Sequence, residues 1–342
     1  MPTHHQPWLV DVNGDPLAWL LEPDAANPAI RYFALRDLLA RPPDDPQVIA
    51  ARAAIMSSGT VPAILAAQHP DGYWERPDFG YGKYRGTHWQ IILLGEMGAD
   101  PADERVRLGC EYLLTHSIAS TGAFAYNRNP VPSGVVPCLN GNLLQAVIRL
   151  GCLDDPRVQR ALDWQARAVT GDGVAYFKSG TSGPDFACAV NEGQPCGWGA
   201  TKALKALAEV SPQGRTPAME RAIEQGVAFL LRYDLARADY PYTGNISATW
   251  FKLGFPLSYW SDVLETLGVL VALGCGGDER LTDAYHWLLG KQDAEGRWKL
   301  ENSLNGKMWV DIEQKGRPSK WVTLRALRVV KGMETAIAAA AI

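Results

Sequence analysis

The chain has 342 residues, a net charge of -4, 47% hydrophobic residues and 20% charged residues, as an ordinary globular protein does. This charge balance excludes the basic surface that nucleic-acid binding requires, so we expect no nucleic-acid partner. The stretch 1–16 lacks the apolar core of a signal peptide, and no run approaches the ~18 apolar residues of a membrane span. We therefore expect a cytoplasmic protein that is not transmembrane.

Six apolar segments recur along the chain at a near-regular interval, each after a loop rich in Gly or Pro. Most are apolar around much of their circumference, which is typical of helices buried on both sides. We predict them to be inner helices. In chain order they cover residues 28–40, 86–97, 138–150, 196–209, 258–273 and 319–331.

Between these segments the chain repeats a helix, a tight turn and a second helix. Glycines suit the left-handed position that ends one helix, and aspartates suit the N-cap of the next. Alternating inner and outer helices predict an all-α fold, a single (α/α)6 toroid over residues 1–342 with 1–14 and 333–342 at its periphery. The best strand signal is VAYF at 174–177. The turn glycines are Gly98, Gly151 and Gly274, and the capping aspartates are Asp103, Asp155 and Asp278.

A motif Gln-x3-Gly-x-Trp occurs twice, at AAQHPDGYW (66–74) and GKQDAEGRW (290–298), with weaker versions at 122–126 and 173–177. It resembles the QW repeat of triterpene cyclases. The long period resembles the α/α toroid that terpenoid cyclases share with protein prenyltransferase β subunits. We interpret the motif as a fastening between repeats. The resemblance implies the toroid fold and an apolar, isoprenoid-type substrate.

The chemical motifs of those families are absent from the sequence. There is no DxDD and no DDxxD; the closest string is PPDDP, in which Asp45 is placed to cap a helix. Prenyltransferases bind zinc through a D-x-C arrangement with a distant His, whereas Asp185 here stands three residues before Cys188. We therefore predict neither a metal nor a cofactor.

The inner helices are expected to begin at one end of the ring, where aromatic residues cluster. An aromatic pocket would stabilise a cation through its ring faces. The alternative is that these rings pack neighbouring helices together. The predicted substrate-binding residues at this mouth are Tyr81, Tyr84, Trp89, Asn140, Trp198, Tyr259, Trp260, Lys320 and Trp321.

Candidate acids lie at two of these helix starts. Asp262 and Glu265 share a helix face, and burial would raise their pKa values while repulsion separates them. Asp262 also fits the N-cap of a capping box. His88, between Thr87 and Gln90 of a second predicted capping box, would be a neutral base.

Cysteines and arginines complete the candidates. Cys138 and Cys196 each follow a proline at a helix start, where a thiol pKa is lowered. With Cys188 and His88 they would be the candidates for a Cys/His zinc site, but their spacing is not that of zinc ligands. Because the sequence has no secretion signal and no CxxC pair, we expect the cysteines to be reduced thiols. Residues 315–331 hold six cations and no acid. If the face shared by Arg325 and Arg328 lines the lumen, it suits a diphosphate or a carboxylate.

These observations favour a terpenoid cyclase-like enzyme that binds an apolar small molecule. Asp262, with Glu265 or His88, would transfer protons in a cyclisation, isomerisation or dehydration. One alternative is a carbohydrate-active toroid, a glycosidase or polysaccharide lyase. Another is a non-catalytic protein that binds a lipid or a peptide.

Overall fold

The computed structural model describes residues 6–174, 186–241 and 248–340. Within these ranges the regular elements are helices, joined by loops that carry isolated β-bridges. The predicted all-α class is confirmed. The strand predicted at 174–177 lies almost wholly outside the described residues.

The helices follow one another along the chain with no strand between them in the described ranges. Their bounds are α1 (Pro16–Leu21), α2 (Pro28–Phe33), α3 (Pro46–Ser57), α4 (Thr60–Ala66), α5 (Thr87–Glu96), α6 (Glu104–His116), α7 (Pro137–Val147), α8 (Pro156–Thr170), α9 (Gly197–Leu207), α10 (Pro217–Leu230), α11 (Val263–Ala272), α12 (Thr282–Leu289) and α13 (Lys320–Ala340). Wider π-helical turns extend α2 over Ala34–Leu38 and α7 over Ile148–Cys152.

Six of these helices pack in the order of a ring. Helix α5 packs on α7, α7 on α9, α9 on α11, α11 on α13, and α13 returns to α2. Between α2 and α5 the Phe33 ring packs on Gly98, where an added Cβ would lie 2.9 Å from Cζ. The outer helices α6, α8, α10 and α12 pack on α5, α7, α9 and α11 respectively. This order of contacts is the one expected for the inner and outer helices of a toroid.

Local chemistry sets the helix ends as predicted. Gly98, Gly151 and Gly274 have φ of 69°, 84° and 88°, the left-handed region that glycine tolerates best. The side chain of Asp103 accepts from Arg105 N at 2.9 Å. Asp155, Asp278 and Asp45 cap their helices through the same contact.

Two inner helices differ from the prediction. Helix α11 begins at Val263 and not at residue 258, because Asp262 has extended φ and ψ of -116° and 171° and caps the helix from outside. Helix α13 continues to Ala340. The stretch 333–340 is therefore helical and continuous with the last inner helix, although most of its described side chains beyond residue 334 are exposed.

The first Gln-x3-Gly-x-Trp motif joins two neighbouring units. Gln68 Nε2 donates to Gly72 O at 3.1 Å and to Arg105 O, at the start of α6, at 2.9 Å. Trp74 is fully buried; its Nε1 donates to Ile64 O at 2.8 Å, and its backbone N donates to Thr87 Oγ1 at 3.1 Å. The motif thus connects α4 to the start of α5.

The second motif repeats these contacts and joins the two ends of the chain. Trp298 Nε1 donates to Leu288 O at 2.7 Å, and its backbone N donates to Thr323 Oγ1 at 3.0 Å. Gln292 Oε1 accepts from Asn13 N at 2.8 Å, and the same amide donates to Asp11 O. The fastening predicted from the motif is what these hydrogen bonds provide.

Residues 46–66 pass a length and composition test for a membrane span. The segment is not one helix, because α3 ends at Ser57 and Gly59, with φ of 72°, starts a new direction before α4. Val48, Ala51 and Ile55 of α3 are buried, and α3 packs on α2. Part of the apolar surface of this segment is therefore buried in the fold, while Ile49 is 54% exposed.

Candidate active site

An open cavity of about 590 Å³ lies at one end of the packed inner helices. Glu96 at the end of α5, Arg149 just beyond α7 and Lys205 in the last turn of α9 line it. The cavity is therefore at the C-terminal end of the inner helices. This cavity is not the pocket predicted at the helix starts, because it lies at the opposite helix ends and charged side chains line it together with Tyr32, Phe33 and Phe255. The aromatic pocket at the helix starts stays a prediction.

The two sides of the cavity differ in polarity. The part formed by α5, α7, α9 and their ends has no leucine, isoleucine, valine or phenylalanine among its described lining residues. The larger apolar side chains come from α2, α11, α13 and the loop before α11. They are Phe33, Phe255, Leu257, Leu264, Val269, Val271 and Val329.

Charge in the cavity is dense and weighted toward cations. Six cationic and four acidic side chains line the described wall, which leaves an excess of positive charge. The cations are Arg36, Arg52, Arg149, Lys205, Arg325 and Arg328, and the acids are Asp37, Glu96, Glu209 and Glu265.

A chain of buried ion pairs starts between α9 and α11. Lys202 Nζ lies 2.6 Å from Glu265 Oε2, and neither side chain is more than 5% exposed. Glu265 Oε1 lies 3.0 Å from Lys205 Nζ, which lies 2.5 Å from Glu96 Oε1 on α5. Three inner helices are thus joined through alternating charges.

Arg149 extends this series of ion pairs to Glu209, another charged residue that lines the cavity. Its guanidinium lies 3.5 Å from Glu96 Oε2 and 2.7 Å from Glu209 Oε1. Gln145 Nε2 also donates to Glu209 Oε1, at 2.8 Å. These partners hold Arg149 at the rim of the cavity with its charge turned toward the centre.

The ion pairs decide which groups are charged. Burial alone would raise the pKa of Glu265, but Lys202, Lys205 and Arg325 lower it to about 2. The pKa of Glu96 is likewise lowered, by Lys205 and Arg149 against the effect of burial. Burial lowers the pKa of Lys202 to about 8, although Glu265 acts in the opposite direction. We predicted a raised pKa for Glu265, and that prediction is wrong because two lysines flank it.

The sequence signal for this network is polar residues at helical spacing in an otherwise apolar helix. Lys202, Lys205 and Glu209 follow one another at intervals of three and four, and so lie on one side of α9. Gln145 and Arg149 do the same on α7 and its extension. Sequence reasoning missed all five, although this stripe could have revealed them.

Arg325 and Arg328 both line the cavity. This placement is the condition on which we predicted their shared helix face to bind an anion. Arg325 Nη1 donates to Gly254 O at 2.6 Å, and Nη2 lies 3.5 Å from Asp262 Oδ1. Arg328 pairs with Asp37, but its buried Nε has no partner among the described residues. Both guanidinium groups therefore retain donors that a ligand could use.

Asp262 is fully buried, and both its carboxylate oxygens accept backbone hydrogen bonds. Oδ1 accepts from Glu265 N at 2.7 Å and Oδ2 from Gly254 N at 3.1 Å. Burial raises its pKa, while Arg325 opposes that rise. Asp262 is thus the N-cap that the capping-box alternative described. Its role as a proton donor stays a prediction, and its route to the cavity passes Arg325.

His88 lies away from this cavity, against the backbone of Gly80. Burial lowers the pKa of His88 to about 4, so the ring is neutral. The predicted capping box is wrong: Gly86 is the N-cap of α5, and Thr87 Oγ1 accepts from Trp74 N instead.

The aromatic residues at the helix starts pack against one another. The Tyr84 ring lies 4.9 Å from that of Trp89 and 6.4 Å from that of Trp260, both edge-on. Tyr81 contacts Trp89 at 5.3 Å, and Tyr259 contacts Trp260 at 5.2 Å. None of these rings borders the described cavity. The packing alternative accounts for their contacts.

Four other predicted binding residues are also placed away from the cavity. Asn140 Oδ1 accepts from Phe124 N at 2.9 Å, and its amide donates to Gln165 Oε1 at 2.7 Å, so it ties α7 to α8. Lys320 lies 3.4 Å from Asp24, and Trp321 Nε1 donates to Asn27 at 3.0 Å. Trp198 is half-buried at the start of α9. Of the predicted binding residues, Arg325 faces the cavity.

The two thiols at helix starts are not activated. Burial raises the pKa of Cys138 to about 12. A hydrogen bond with Cys188 and burial raise that of Cys196. The pKa of Cys188, which we did not select, is instead lowered to about 6. The described residues hold no group of three or more metal-binding side chains.

Comparisons with known proteins give structural neighbours but no family. No protein-family model and no curated protein matches the chain. Type II terpene cyclase MstE from Scytonema, as a variant in complex with its product merosterolic acid A, is 17% identical. The match covers 81% of this chain and 95% of that chain with a TM-score of 0.32. A second MstE variant, in complex with the substrate geranylgeranyl dihydroxybenzoate, is 16% identical. Its TM-score is 0.30, and the match again covers 81% of this chain and 95% of that chain.

A protein from Actinoplanes is 14% identical, over 82% of this chain and 99% of that chain, with a TM-score of 0.32. TM-scores and identities this low do not establish a shared activity, so the function rests on the geometry of the cavity.

Proposed function

We propose that the protein binds an amphiphilic anion, an apolar carbon skeleton with a carboxylate or phosphate group, in this cavity. The observation that carries the proposal is the cavity of about 590 Å³ with cationic excess on its wall. Its size lies within the usual range of small-molecule sites. The anionic group would lie between Arg325 and Arg328, and the carbon skeleton against Phe33, Phe255 and Leu264.

The electrostatics favour this ligand over a purely apolar one. A guanidinium forms strong, paired hydrogen bonds with carboxylate and phosphate oxygens. Arg328 Nε has no described partner, and Arg325 makes one close contact and one longer one. An apolar ligand would cover these donors without bonding them, which costs free energy.

We further propose that the protein is a terpenoid cyclase-like enzyme, with Asp262 as its acid. The support is the resemblance of the Gln-x3-Gly-x-Trp motifs and the raised pKa of that buried carboxyl. A glycosidase needs a general acid at the cleft. Among the cavity acids Asp37, Glu96 and Glu265 have lowered pKa values, which disfavours that alternative.

Calorimetry with three probes tests the binding proposal: farnesyl diphosphate, farnesol and inorganic diphosphate. Farnesyl diphosphate is expected to bind tighter than either of the others, because it engages both sides of the cavity. Arg328→Gln should weaken its affinity about tenfold, the loss of roughly one charge-assisted hydrogen bond. Farnesol should bind equally to the wild type and the variant.

Arg221→Gln, on the exposed face of α10, is the matched control and should leave every affinity unchanged. Equal affinities of farnesol and farnesyl diphosphate would contradict the anionic site. If inorganic diphosphate bound as tightly as farnesyl diphosphate, the apolar part of the proposed site would be contradicted.

A further inference from the structure

Cys188 and Cys196 lie beside one another in a short hairpin before α9. Ala187 and Pro195 form an antiparallel β-bridge. Cys188 N donates to Gln194 O, and Cys196 N to Phe186 O, both at 3.0 Å. Because alternate residues of paired strands project on opposite sides, the two cysteines project on the same side. Each thiol shifts the pKa of the other.

The surroundings of the two sulfurs are unequal. The Cys196 thiol and the nearby backbone N–H groups of Asn191 and Val190 lower the pKa of Cys188 to about 6, against the effect of burial. Cys196 Sγ accepts from Gly199 N at 3.5 Å, in the first turn of α9. Both residues are partly exposed and free of a disulfide. A thiolate at Cys188 is therefore held next to a protonated, reachable Cys196.

We propose that Cys188 and Cys196 form a peroxide-reactive dithiol, with Cys188 as the nucleophile and Cys196 as the resolving thiol. The Cys188 thiolate attacks one oxygen of a hydroperoxide, the O–O bond breaks, and a sulfenic acid forms as the alcohol or water leaves. Cys196 sulfur then attacks the Cys188 sulfur. The S–O bond breaks, a disulfide forms, and the proton of Cys196 leaves with the hydroxide as water. Two electrons pass from the sulfurs to the peroxide.

A second thiol pair provides an internal comparison. Cys110 and Cys152 also shift the pKa of one another, and that of Cys152 is lowered. Cys110, however, is 2% exposed. Burial of one partner slows access of both oxidant and attacking sulfur. The hairpin pair is therefore the more reactive of the two.

Oxidation would act on a helix that carries part of the cavity. Cys196 is the N-cap of α9, and Lys202 and Lys205 follow six and nine residues later, roughly two turns into the same helix. A disulfide would join this cap to Cys188, on the far strand of the hairpin. This device is independent of the ligand proposed for the cavity.

Treatment of the full chain with hydrogen peroxide, followed by intact mass and peptide mapping, tests the proposal. The wild type is expected to lose two hydrogens and to yield a peptide linking Cys188 to Cys196. Iodoacetamide should alkylate Cys188 with a midpoint near pH 6, and at pH 7 about tenfold faster than Cys275, whose pKa is raised.

Cys188→Ser should abolish the link, whereas Cys196→Ser should accumulate a sulfenic acid at Cys188 that dimedone labels. Cys275→Ser is the matched control and should oxidise as the wild type does. A disulfide between Cys110 and Cys152 in place of the hairpin link would overturn the proposal. So would unchanged oxidation of folded Cys188→Ser, with folding checked by circular dichroism.

Discussion

Lys202 and Glu265 form a buried ion pair, 2.6 Å from Nζ to Oε2, between two inner helices of the ring. Taking both charges out of water is costly, and their attraction offsets that cost while the partners stay together. Lys205 also contacts Glu265, which makes the acid a shared partner of two lysines. The pair holds α9 to α11 beside the cavity and fixes the charge of its wall.

Removing one partner should be strongly destabilising. Lys202→Met is expected to lower the free energy of unfolding by about 3 kcal/mol, because Glu265 loses its closest counter-charge in a buried site. Because Lys205 still contacts Glu265 in this variant, the loss should be at the low end of the range for broken buried ion pairs. Urea denaturation measures it, with exposed Lys252→Met as the control. A loss equal to the control's would contradict the strength assigned to this pair.

The pH dependence of stability should carry a contribution from Glu265. Its pKa is about 2 in the folded protein and 4.5 ordinarily, so the folded state binds fewer protons between these values. Stability therefore rises with pH across this window. The contribution is complete above pH 4.5 and is lost as the pH falls toward about 2.

Urea midpoints between pH 2 and pH 7 measure this dependence, with a flatter acid limb expected for Glu265→Gln. Exposed Glu224→Gln, on α10, should keep the slope of the wild type. Parallel curves for wild type and Glu265→Gln would show that the pair does not lower this pKa.

The second Gln-x3-Gly-x-Trp motif should be intolerant of a side chain at its glycine. Gly296 has φ of 71°, and a Cβ there would lie 2.0 Å from Asn13 O. Gly306 has φ of 78° with nothing within 4 Å of its Cβ position. Gly306→Ala should cost about 1 kcal/mol, from backbone conformation alone.

Gly296→Ala should cost more than Gly306→Ala, by roughly 2 kcal/mol, since the contact with the Asn13 backbone must also separate. Thermal unfolding of both variants measures the difference. Equal losses would mean that the N-terminal segment is not held against this motif.

Asp262 can be tested as a cap and as an acid separately. Asparagine is as good an N-cap as aspartate but does not donate a proton as a carboxylic acid. Asp262→Asn should lose about 1 to 2 kcal/mol, because it keeps an oxygen for Glu265 N but cannot also accept from Gly254 N, whereas Asp262→Ala loses both acceptors and should lose about 3 kcal/mol. If Asp262 is the acid, both variants lose turnover of the substrate that the binding experiment identifies. Full turnover by Asp262→Asn would leave it a cap alone.

Features set by near neighbours in the chain were predictable. The left-handed glycines at 98, 151 and 274 follow from local backbone chemistry, and so do the aspartate caps. The start of α11 was misplaced because SYWSD is apolar enough to continue a helix pattern. Asp262 ends that pattern by accepting from Glu265 N, a choice that periodicity does not reveal.

The site was less predictable because its contacts are distant in sequence. Lys202 and Glu265 are 63 residues apart, and Lys205 and Glu96 are 109 apart. Whether a charged residue on an inner helix faces the lumen depends on how its neighbours rotate against it. The aromatic residues at the helix starts led to the prediction of a substrate pocket there. Rings that pack helices together and rings that line a pocket have the same sequence pattern, so the sequence does not distinguish them. Cys188 was missed because the hairpin pairing that places it beside Cys196 has no strong local signal.

The contact of Gln292 with Asn13 has a consequence for synthesis of the chain. The two residues are 279 positions apart, and Trp321 and Arg328 likewise reach back to Asn27 and Asp37. At ribosomal speeds of about 5–20 residues per second, the first helices emerge tens of seconds before these partners exist. During most of translation, the residues in and around α1 and α2 therefore lack these packing and hydrogen-bond partners. The contacts of this segment with Gln292 and α13 can form only after nearly all of the intervening chain has been made.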